Sequence, residues 1–428
     1  MAHDTIFALS SGAPPAGIAV VRVSGPAAGD ALCALAGGLP ESRRAVARTL
    51  RDESGEELDR ALMLWLPGPG TATGEDIAEL HLHGGRAVVA SVERALDALP
   101  GLRAAAPGEF TRRAFANGRI DLAEAEGLAE LLEAETEFQR RSALALAGGA
   151  LSKQAAAWRD AVLGLSAEVE AMLDFSDEED AAELPSAFSV RVATLADDLR
   201  AWLDRPRAMM LREGYRIVLA GPPNAGKSTL FNALLESEAA ITSPIAGTTR
   251  DVLERSVAMA GIPFTFVDTA GLRDSAIEDD AIEAIGIARA REQLDRADCV
   301  LWLGEEGQGP AGAWEIDAKA DDAARQAKGK DAIRLSARTG LGMDVLRARL
   351  VSHARDAMPA PGEVALNDRQ SSLLAEAATA LAGTSGESDP LILAERLRLA
   401  RSAFDRLLGR ASTEDMLDAL FGRFCIGK

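Results

Sequence analysis

Eight residues, Gly221-Pro-Pro-Asn-Ala-Gly-Lys-Ser228, limit what this chain can fold into more than any other stretch. Their spacing is that of a phosphate-binding loop, whose glycines let the backbone curl around phosphates and aim its amides at them. The flanks supply the required context: Tyr215–Ala220 reads as a buried strand, and Thr229–Leu235 reads as the opening of a helix. A ligand-free glycine turn is the alternative, and that context argues against it. Lys227 would neutralise the outer phosphates and Ser228 would ligate Mg²⁺, with Asn224, Ala225, Gly226 and Thr229 completing the nucleotide contacts.

The order of later motifs selects the nucleotide. Gly247-Thr-Thr-Arg-Asp251 places Thr248 and Thr249 where a switch loop can close over Mg²⁺ and the terminal phosphate. Phe264–Val267 is a strand that runs into Asp268-Thr269-Ala270-Gly271, whose aspartate suits the metal's water shell and whose glycine amide suits a γ-phosphate. Ser336-Ala337-Arg338 follows a short strand, Ala332–Leu335, at the place of a guanine loop. Strand, phosphate loop, threonine switch, DxxG and SA loop, in that order, are those of a GTPase. The base-reading NKxD motif is altered to Ala318-Lys319-Ala320-Asp321. Asp321 can still accept from the guanine N1 and exocyclic amine, and Lys319 can pack on the base, but Ala318 cannot make the asparagine's contacts. Leu272, after the DxxG motif, cannot orient water as a glutamine would. Hydrolysis therefore needs another group for the nucleophile and a further positive charge, and Asn224 could help hold a monovalent cation.

At 428 residues with 47 % hydrophobic residues, the chain has the length for two to three domains. A net charge of −20 argues against a broad nucleic-acid surface, since such affinity comes largely from neutralised phosphates. Arg103, Arg112, Arg113 and Arg119 form one local arginine cluster, and a second recurs from Arg396 to Arg410; each is either a basic patch or a set of solvated helix faces. Cys33, Cys299 and Cys425 have no spacing suited to disulfides or zinc. No stretch has the length and apolarity of a membrane span, and Met1–Ser10 lacks a signal-peptide pattern, so a cytoplasmic location without membrane contact is expected.

The expected fold is multidomain α/β plus α. Residues 1–118 carry short strands (Gly17–Ser24, Arg60–Leu66, Ile77–His83) and one helix, Arg86–Leu99, as an α+β domain. Residues 119–212 are Ala/Leu/Glu-rich with helical spacing, broken at Asp174–Pro185. A Ras-like P-loop GTPase domain over 213–356 is inserted before a second helical part, 357–428. Ser256–Met259 and Phe264–Val267 would form a hairpin. His81 and His83 alternate on a strand without a third metal ligand in view.

The chain resembles the MnmE (TrmE) family of bacterial tRNA-modification GTPases. The likeness rests on Val20-Val-Arg-Val-Ser-Gly-Pro26, Thr73-Gly-Glu-Asp-Ile-Ala-Glu-Leu80, Pro107-Gly-Glu-Phe-Thr111, Asn117-Gly-Arg119, the GTPase motifs and Phe424-Cys-Ile-Gly-Lys428. It implies an N-terminal domain that binds folate and forms a homodimer, a discontinuous helical domain, and a K⁺-dependent GTPase domain. It implies that, with an FAD-dependent partner, MnmG, in a heterotetramer, such a protein adds a (carboxymethyl)aminomethyl group to C5 of the wobble uridine at position 34 in certain tRNAs. The one-carbon unit would come from 5-formyl- or 5,10-methylene-tetrahydrofolate. By motif match Arg22, Glu79, Arg119 and Lys428 would contact the folate; guanidinium and ammonium groups suit its carboxylates, and Glu79 can accept from pterin N–H groups. Cys425 is either a thiol at the one-carbon centre or a small buried hydrophobe.

For hydrolysis, the resemblance implies that Asn224, Ser243, Ile245 and Thr248 cage K⁺ in the role of an arginine finger. Ser228 and Thr249 would bind Mg²⁺, and Glu283 would orient the attacking water. A ribosome-assembly or RNA-binding GTPase switch without modification chemistry is the main rival; it shares the GTPase motifs, but one of the Era or Der type would need a KH-type RNA-binding tail or a second P-loop, and the sequence shows neither.

Overall fold

The computed structural model describes residues 4–174, 184–205, 208–236, 239–240, 253–269, 291–322, 327–360, 362–411 and 413–427. The chain divides into two compact units, one of Met1–Ala129, Ala147–Leu184 and Ser388–Lys428, the other of Glu130–Leu146 and Pro185–Glu387.

The first unit is built on a six-stranded sheet ordered β3-β4-β5-β2-β1-β6. Its strands are β1 (Thr5–Leu9), β2 (Ile18–Ser24), β3 (Val46–Arg51), β4 (Glu57–Leu66), β5 (Ile77–His83) and β6 (Leu102–Ala104). Only β1–β6 is a parallel pair. Alternation along β2 sends Ala19, Val21 and Val23 into a core shared with α1 (Ala28–Ala36) and α2 (Arg86–Asp97). The same alternation sends Arg22 to the opposite face, where Ile6 and Ala8 of β1 pack on Phe110 of α3 (Glu109–Ala116). The single helix expected in 1–118 is thus corrected to three. Neither α1 nor α3 has a side-chain N-cap, and α3 opens after a left-handed Gly108, so an acidic first-turn residue, Asp30 or Glu109, is the one start signal each carries. Helices α4 (Leu122–Glu133), α5 (Glu137–Ala147) and α6 (Ala150–Asp174) follow. The expected break after Asp174 lies largely outside the described residues.

The second unit holds α5, α7 (Phe188–Leu203), α8 (Ala208–Glu213) and a seven-stranded sheet ordered β13-β12-β11-β7-β10-β9-β8. Its strands are β7 (Tyr215–Ala220), β8 (Ala239–Ala240), β9 (Leu253–Met259), β10 (Ile262–Asp268), β11 (Cys299–Trp302), β12 (Trp314–Asp317) and β13 (Ile333–Arg334). Every residue of β7 is buried at the centre of the sheet, including the charged Arg216, which pairs with Glu254 of β9, among otherwise apolar neighbours. Strands β9 and β10 form the expected hairpin; Met259 pairs with Ile262 across Ala260 and Gly261, whose φ values of 50° and 80° match a two-residue primed turn. Helices α9 (Lys227–Leu235) and α10 (Met343–Ala357) pack on the same core, and α11 (Asp368–Ala382) packs with α7. The parallel neighbours β11 and β12 are joined by 303–313 without a helix, a short crossover for a parallel pair. The glycines of this loop fold onto Trp302: a Cβ at Gly304 or Gly309 would come within 2.4 or 2.7 Å of its ring.

Helices α12 (Pro390–Leu407) and α13 (Glu414–Phe421) belong to the first unit. There α12 lies along α6, with Phe404 and Trp158 ring centroids 5.8 Å apart and Arg159 bonded to Asp405 at 2.7 Å. No helix among the described residues is long and apolar enough to cross a membrane.

Candidate functional site

The phosphate loop leaves the C-terminal end of β7 and turns into α9. Gly221, Asn224 and Gly226 take positive φ values of 146°, 59° and 103°, the left-handed geometry that curls successive amides toward one point. Gly221 packs so closely on Leu303 and Gly304 that a Cβ would stand 3.1 Å from the Gly304 nitrogen. Lys227 is 6 % exposed, and its ammonium donates to the carbonyls of Gly221 and Pro222 at 3.0 and 2.9 Å. The charge is thus folded over the loop, where a phosphate would compete for it.

Ser228 Oγ donates to Asp268 Oδ2 at 2.6 Å, so β10 delivers its last residue to the first turn of α9. Two hard oxygen donors side by side, one a fully buried carboxylate, fit a Mg²⁺ ion that keeps several waters. Thr269 is turned away from this point, its hydroxyl donating to the Leu219 carbonyl at 2.8 Å. Thr229 is exposed and Ala225 is buried beneath the loop. Beside the loop lies a cleft of about 430 Å³ whose lining includes Gly221, Lys227, Thr269, Trp302, Glu305 and Gln308. The last three belong to no nucleotide motif: Trp302 ends β11, and Glu305 and Gln308 sit on the helix-free crossover that follows it.

The segments expected to read the base converge despite Ala318. Ser336, fully buried, donates to Asp321 Oδ1 at 2.6 Å, and Arg338 pairs with Oδ2 at 2.8 Å. The Ser336 hydrogen bond, and then the nearby Arg338 charge, hold the Asp321 carboxyl below its usual range. Lys319, at a φ of 63°, donates to the Asn224 carbonyl at 2.7 Å and so ties this segment to the phosphate loop. Ala318 is buried in the sheet core and Ala337 is half-buried. Ser243, Ile245, Thr248, Thr249, Ala270, Gly271, Glu283 and Lys428 lie outside the described residues.

A second constellation occupies the first unit. Arg22 and Glu79 are register partners on β2 and β5, joined by hydrogen bonds of 3.1 and 2.9 Å. The Arg22 guanidinium stands 6.0 Å from the Phe110 ring centroid. His81 contacts the second oxygen of Glu79 at 3.3 Å, while His83 bonds Asp59 at 2.7 Å. No three His, Cys, Asp or Glu side chains among the described residues group as a metal site would need. Arg119 follows α3 and packs on the turn at Gly74, where a Cβ would lie 3.2 Å from its Cγ. Cys425 is exposed, which removes the buried-hydrophobe reading. Its carbonyl faces the Gly108 amide at 3.5 Å.

The arginine cluster read as a possible basic patch is largely paired with acids. Arg103 and Arg113 share Asp4 and Glu109, Arg113 also reaches Glu75, and Arg112 holds Glu414 and Asp418 of α13. Glu109 is close in sequence to both of its arginines, but Asp4, Glu75, Glu414 and Asp418 are not, so no local pattern announces those four.

The family model described as the MnmE helical domain matches residues 122–425, and that of the GTP-binding protein TrmE N-terminus matches residues 5–119. The chain is similar to the tRNA modification GTPase MnmE of Erythrobacter litoralis, at 65 % identity over 99 % of this chain and 100 % of the relative. It is 63 % identical to that of Novosphingobium aromaticivorans over 99 % and 100 % of the two chains. Against the Rhizorhabdus wittichii protein it is 59 % identical over 100 % of this chain and 97 % of the relative. On these matches the chain belongs to the MnmE (TrmE) family of tRNA modification GTPases.

Proposed function

We propose that this protein hydrolyses GTP to drive a tRNA modification in which a folate-borne one-carbon unit is added to C5 of the wobble uridine at position 34. The observation that carries the GTPase half is the meeting of Lys227, Ser228 and Asp268 around one phosphate loop, with Asp321 held by Ser336 to read the base. In this reading Lys227 leaves the Gly221 and Pro222 carbonyls for the outer phosphates, while Asn224, Ala225, Gly226 and Thr229 line the same loop. Asp268, Thr269, Ala270 and Gly271 form the γ-phosphate segment. Lys319, Asp321, Ser336, Ala337 and Arg338 surround the guanine.

Ser228 and Thr249 would hold Mg²⁺, and Asn224, Ser243, Ile245 and Thr248 would hold K⁺. The two ions supply positive charge to the phosphate oxygens as negative charge builds there. Glu283 would accept a hydrogen bond from the attacking water, the task Leu272 cannot perform.

The modification half rests on Arg22 and Glu79, which present a cation and an acceptor on one sheet face beside the aromatic ring of Phe110. Arg22, Arg119 and Lys428 would take the folate carboxylates, Glu79 the pterin N–H edge, and Cys425 would stand at the one-carbon centre. We assign residues 1–118 to the folate-binding and dimerising domain and 213–356 to the GTPase domain. Residues 119–212 and 357–428 form the two parts of the helical domain. A homodimer working with the FAD-dependent MnmG in the cytoplasm completes the reading.

The decisive experiment is nucleoside analysis of bulk tRNA from a strain lacking the gene. Loss of the C5-modified wobble uridine, restored by the wild-type protein and not by Glu283→Ala, is the expected result. An unchanged nucleoside profile would leave a GTPase without this modification role.

A further inference from the structure

Arg216 is the charged residue of β7 and precedes the phosphate loop by about 16 Å of strand. Its side chain is 9 % exposed, and Nη2 donates to both Glu254 Oε1 and Gln293 Oε1, 38 and 77 positions away in sequence. Nε is buried with no hydrogen-bond partner among the described residues. The backbone is held from a third side: its amide donates to Asp298 Oδ2 at 2.7 Å, and its carbonyl accepts from the Asp298 amide at 3.0 Å. Burial, and then the nearby Arg296 charge, pull the guanidinium below its ordinary range against the attraction of Glu213 and Asp298.

The fold does not require a charge at this position. A buried guanidinium with one N–H unpaired has lost hydration there without replacement, and an apolar side chain of similar volume is often neutral or stabilising in its place. The neighbours Tyr215, Ile217, Val218 and Leu219 show what packing alone asks of β7. What the guanidinium joins is more telling. Glu254 is the second residue of β9, the strand that the chain enters from Gly247–Asp251. It lies in register with Val267, one row from the Leu253–Asp268 pair, so its position bears on the carboxylate that takes Ser228. Gln293 sits in the helical turn 291–295, which the chain reaches after Asp268–Gly271. Strand β7 itself delivers the phosphate loop. One side chain thus ties together the strand before the phosphate loop, the strand after the threonine segment and the turn after the DxxG segment, at a place too far from the phosphates to touch them.

We infer that Arg216 is a positioning residue for GTP hydrolysis: by gripping Glu254 and Gln293 together, it sets the threonine and DxxG segments relative to the phosphate loop as one unit. This rests on the proposed reading that Thr249 and Asp268–Gly271 act at Mg²⁺ and the γ-phosphate. A purely structural ion pair would stabilise the protein and leave the hydrolysis step untouched.

The test compares the full-length protein with Arg216→Met, which keeps the stem and removes the charge, and with Arg216→Lys, which restores a cation able to donate to both acceptors. Single-turnover GTP hydrolysis, GDP affinity against a fluorescent analogue and melting temperature are measured for each. Arg216→Met is expected to keep the wild-type GDP affinity and melting temperature. It should nevertheless hydrolyse bound GTP between about tenfold and a hundredfold more slowly, the scale of a misplacement remote from the chemistry. Arg216→Lys should recover most of that rate. Glu254→Gln and Gln293→Leu should each slow hydrolysis, and the double variant should be no slower than the worse single one, since both act through one guanidinium. A wild-type rate in Arg216→Met, or a loss that tracks a lower melting temperature and weaker GDP binding, would overturn the inference. Should Arg216→Met fail to fold, additive losses at Glu254 and Gln293 overturn it and non-additive losses support it. Thr249→Ala is the control for the underlying reading: a wild-type rate there would overturn that reading, and the inference with it.

Discussion

Ser336 Oγ bonds Asp321 Oδ1 at 2.6 Å across fifteen positions of sequence, joining the loop after β13 to the segment after β12. That bond aims the carboxylate from the buried side, where an asparagine at position 318 would have braced the loop. Together with the Lys319 bond to the Asn224 carbonyl, it gives the segment Ala318–Asp321, proposed to read the base, two fixed points without one.

If Asp321 reads guanine, Asp321→Asn should exchange an acceptor for a donor. The two charge-assisted bonds to N1 and the exocyclic amine would be lost, about 100-fold in GTP affinity. Xanthosine triphosphate, which offers a carbonyl in place of the amine, should bind better than GTP. Titration of both nucleotides against a fluorescent analogue checks the reversal; unchanged preference would place the base elsewhere.

Asn224 has a φ of 59° and is exposed on the phosphate loop, so its side chain is free to turn toward a cation beside the phosphates. Hydrolysis should be at least about tenfold faster in KCl than in NaCl, the scale of one well-placed charge in the transition state. Asn224→Ala should abolish that difference while GTP still binds. Equal rates in both salts for the wild type would remove K⁺ from the scheme.

Burial pushes the Glu109 carboxyl up, but its bonds to Arg103, the Ala106 amide and Arg113 outweigh this and hold it below its ordinary 4.5. A carboxylate with a lowered folded value stabilises the fold above its unfolded value, and that stabilisation disappears as pH falls through the folded value. Glu109→Gln should therefore cost about 1–2 kcal/mol at neutral pH, discounted for the half-exposed Arg103. The deficit should shrink once pH drops below 4.5. Urea midpoints of both proteins across that range provide the check; a pH-independent gap would mean the charge is not the cause.

Trp302 stands in for a crossover helix, and the loop can close on it only through Gly304 and Gly309. Gly309→Ala would place a Cβ 2.7 Å from Trp302 Cγ and is expected to destabilise the protein by about 1–3 kcal/mol, an overpacking cost. Gly12→Ala, where a Cβ meets nothing within 4 Å, should be nearly neutral. Similar melting temperatures for the two variants would show that Trp302 yields easily.

The nucleotide loop, the buried strand before it and the β9–β10 hairpin are legible in the amino-acid order because their causes are local. Glycine at Gly221, Gly226 and Gly261 answers to backbone geometry within a few residues, and the mostly apolar run Tyr215–Ala220 marks a buried strand. The helices α1 and α3 are not legible in that way, since packing on the sheet rather than caps or propensity stabilises them. Nor does any pattern reveal that Arg112 pairs with Glu414 and Asp418, that Arg113 reaches Asp4 and Glu75, or that Gly108 must make room for Phe421. Charges and backbones separated by tens to hundreds of positions meet only when the chain has closed on itself. Coulombic attraction and steric exclusion depend on distance through space, which the order of residues does not record.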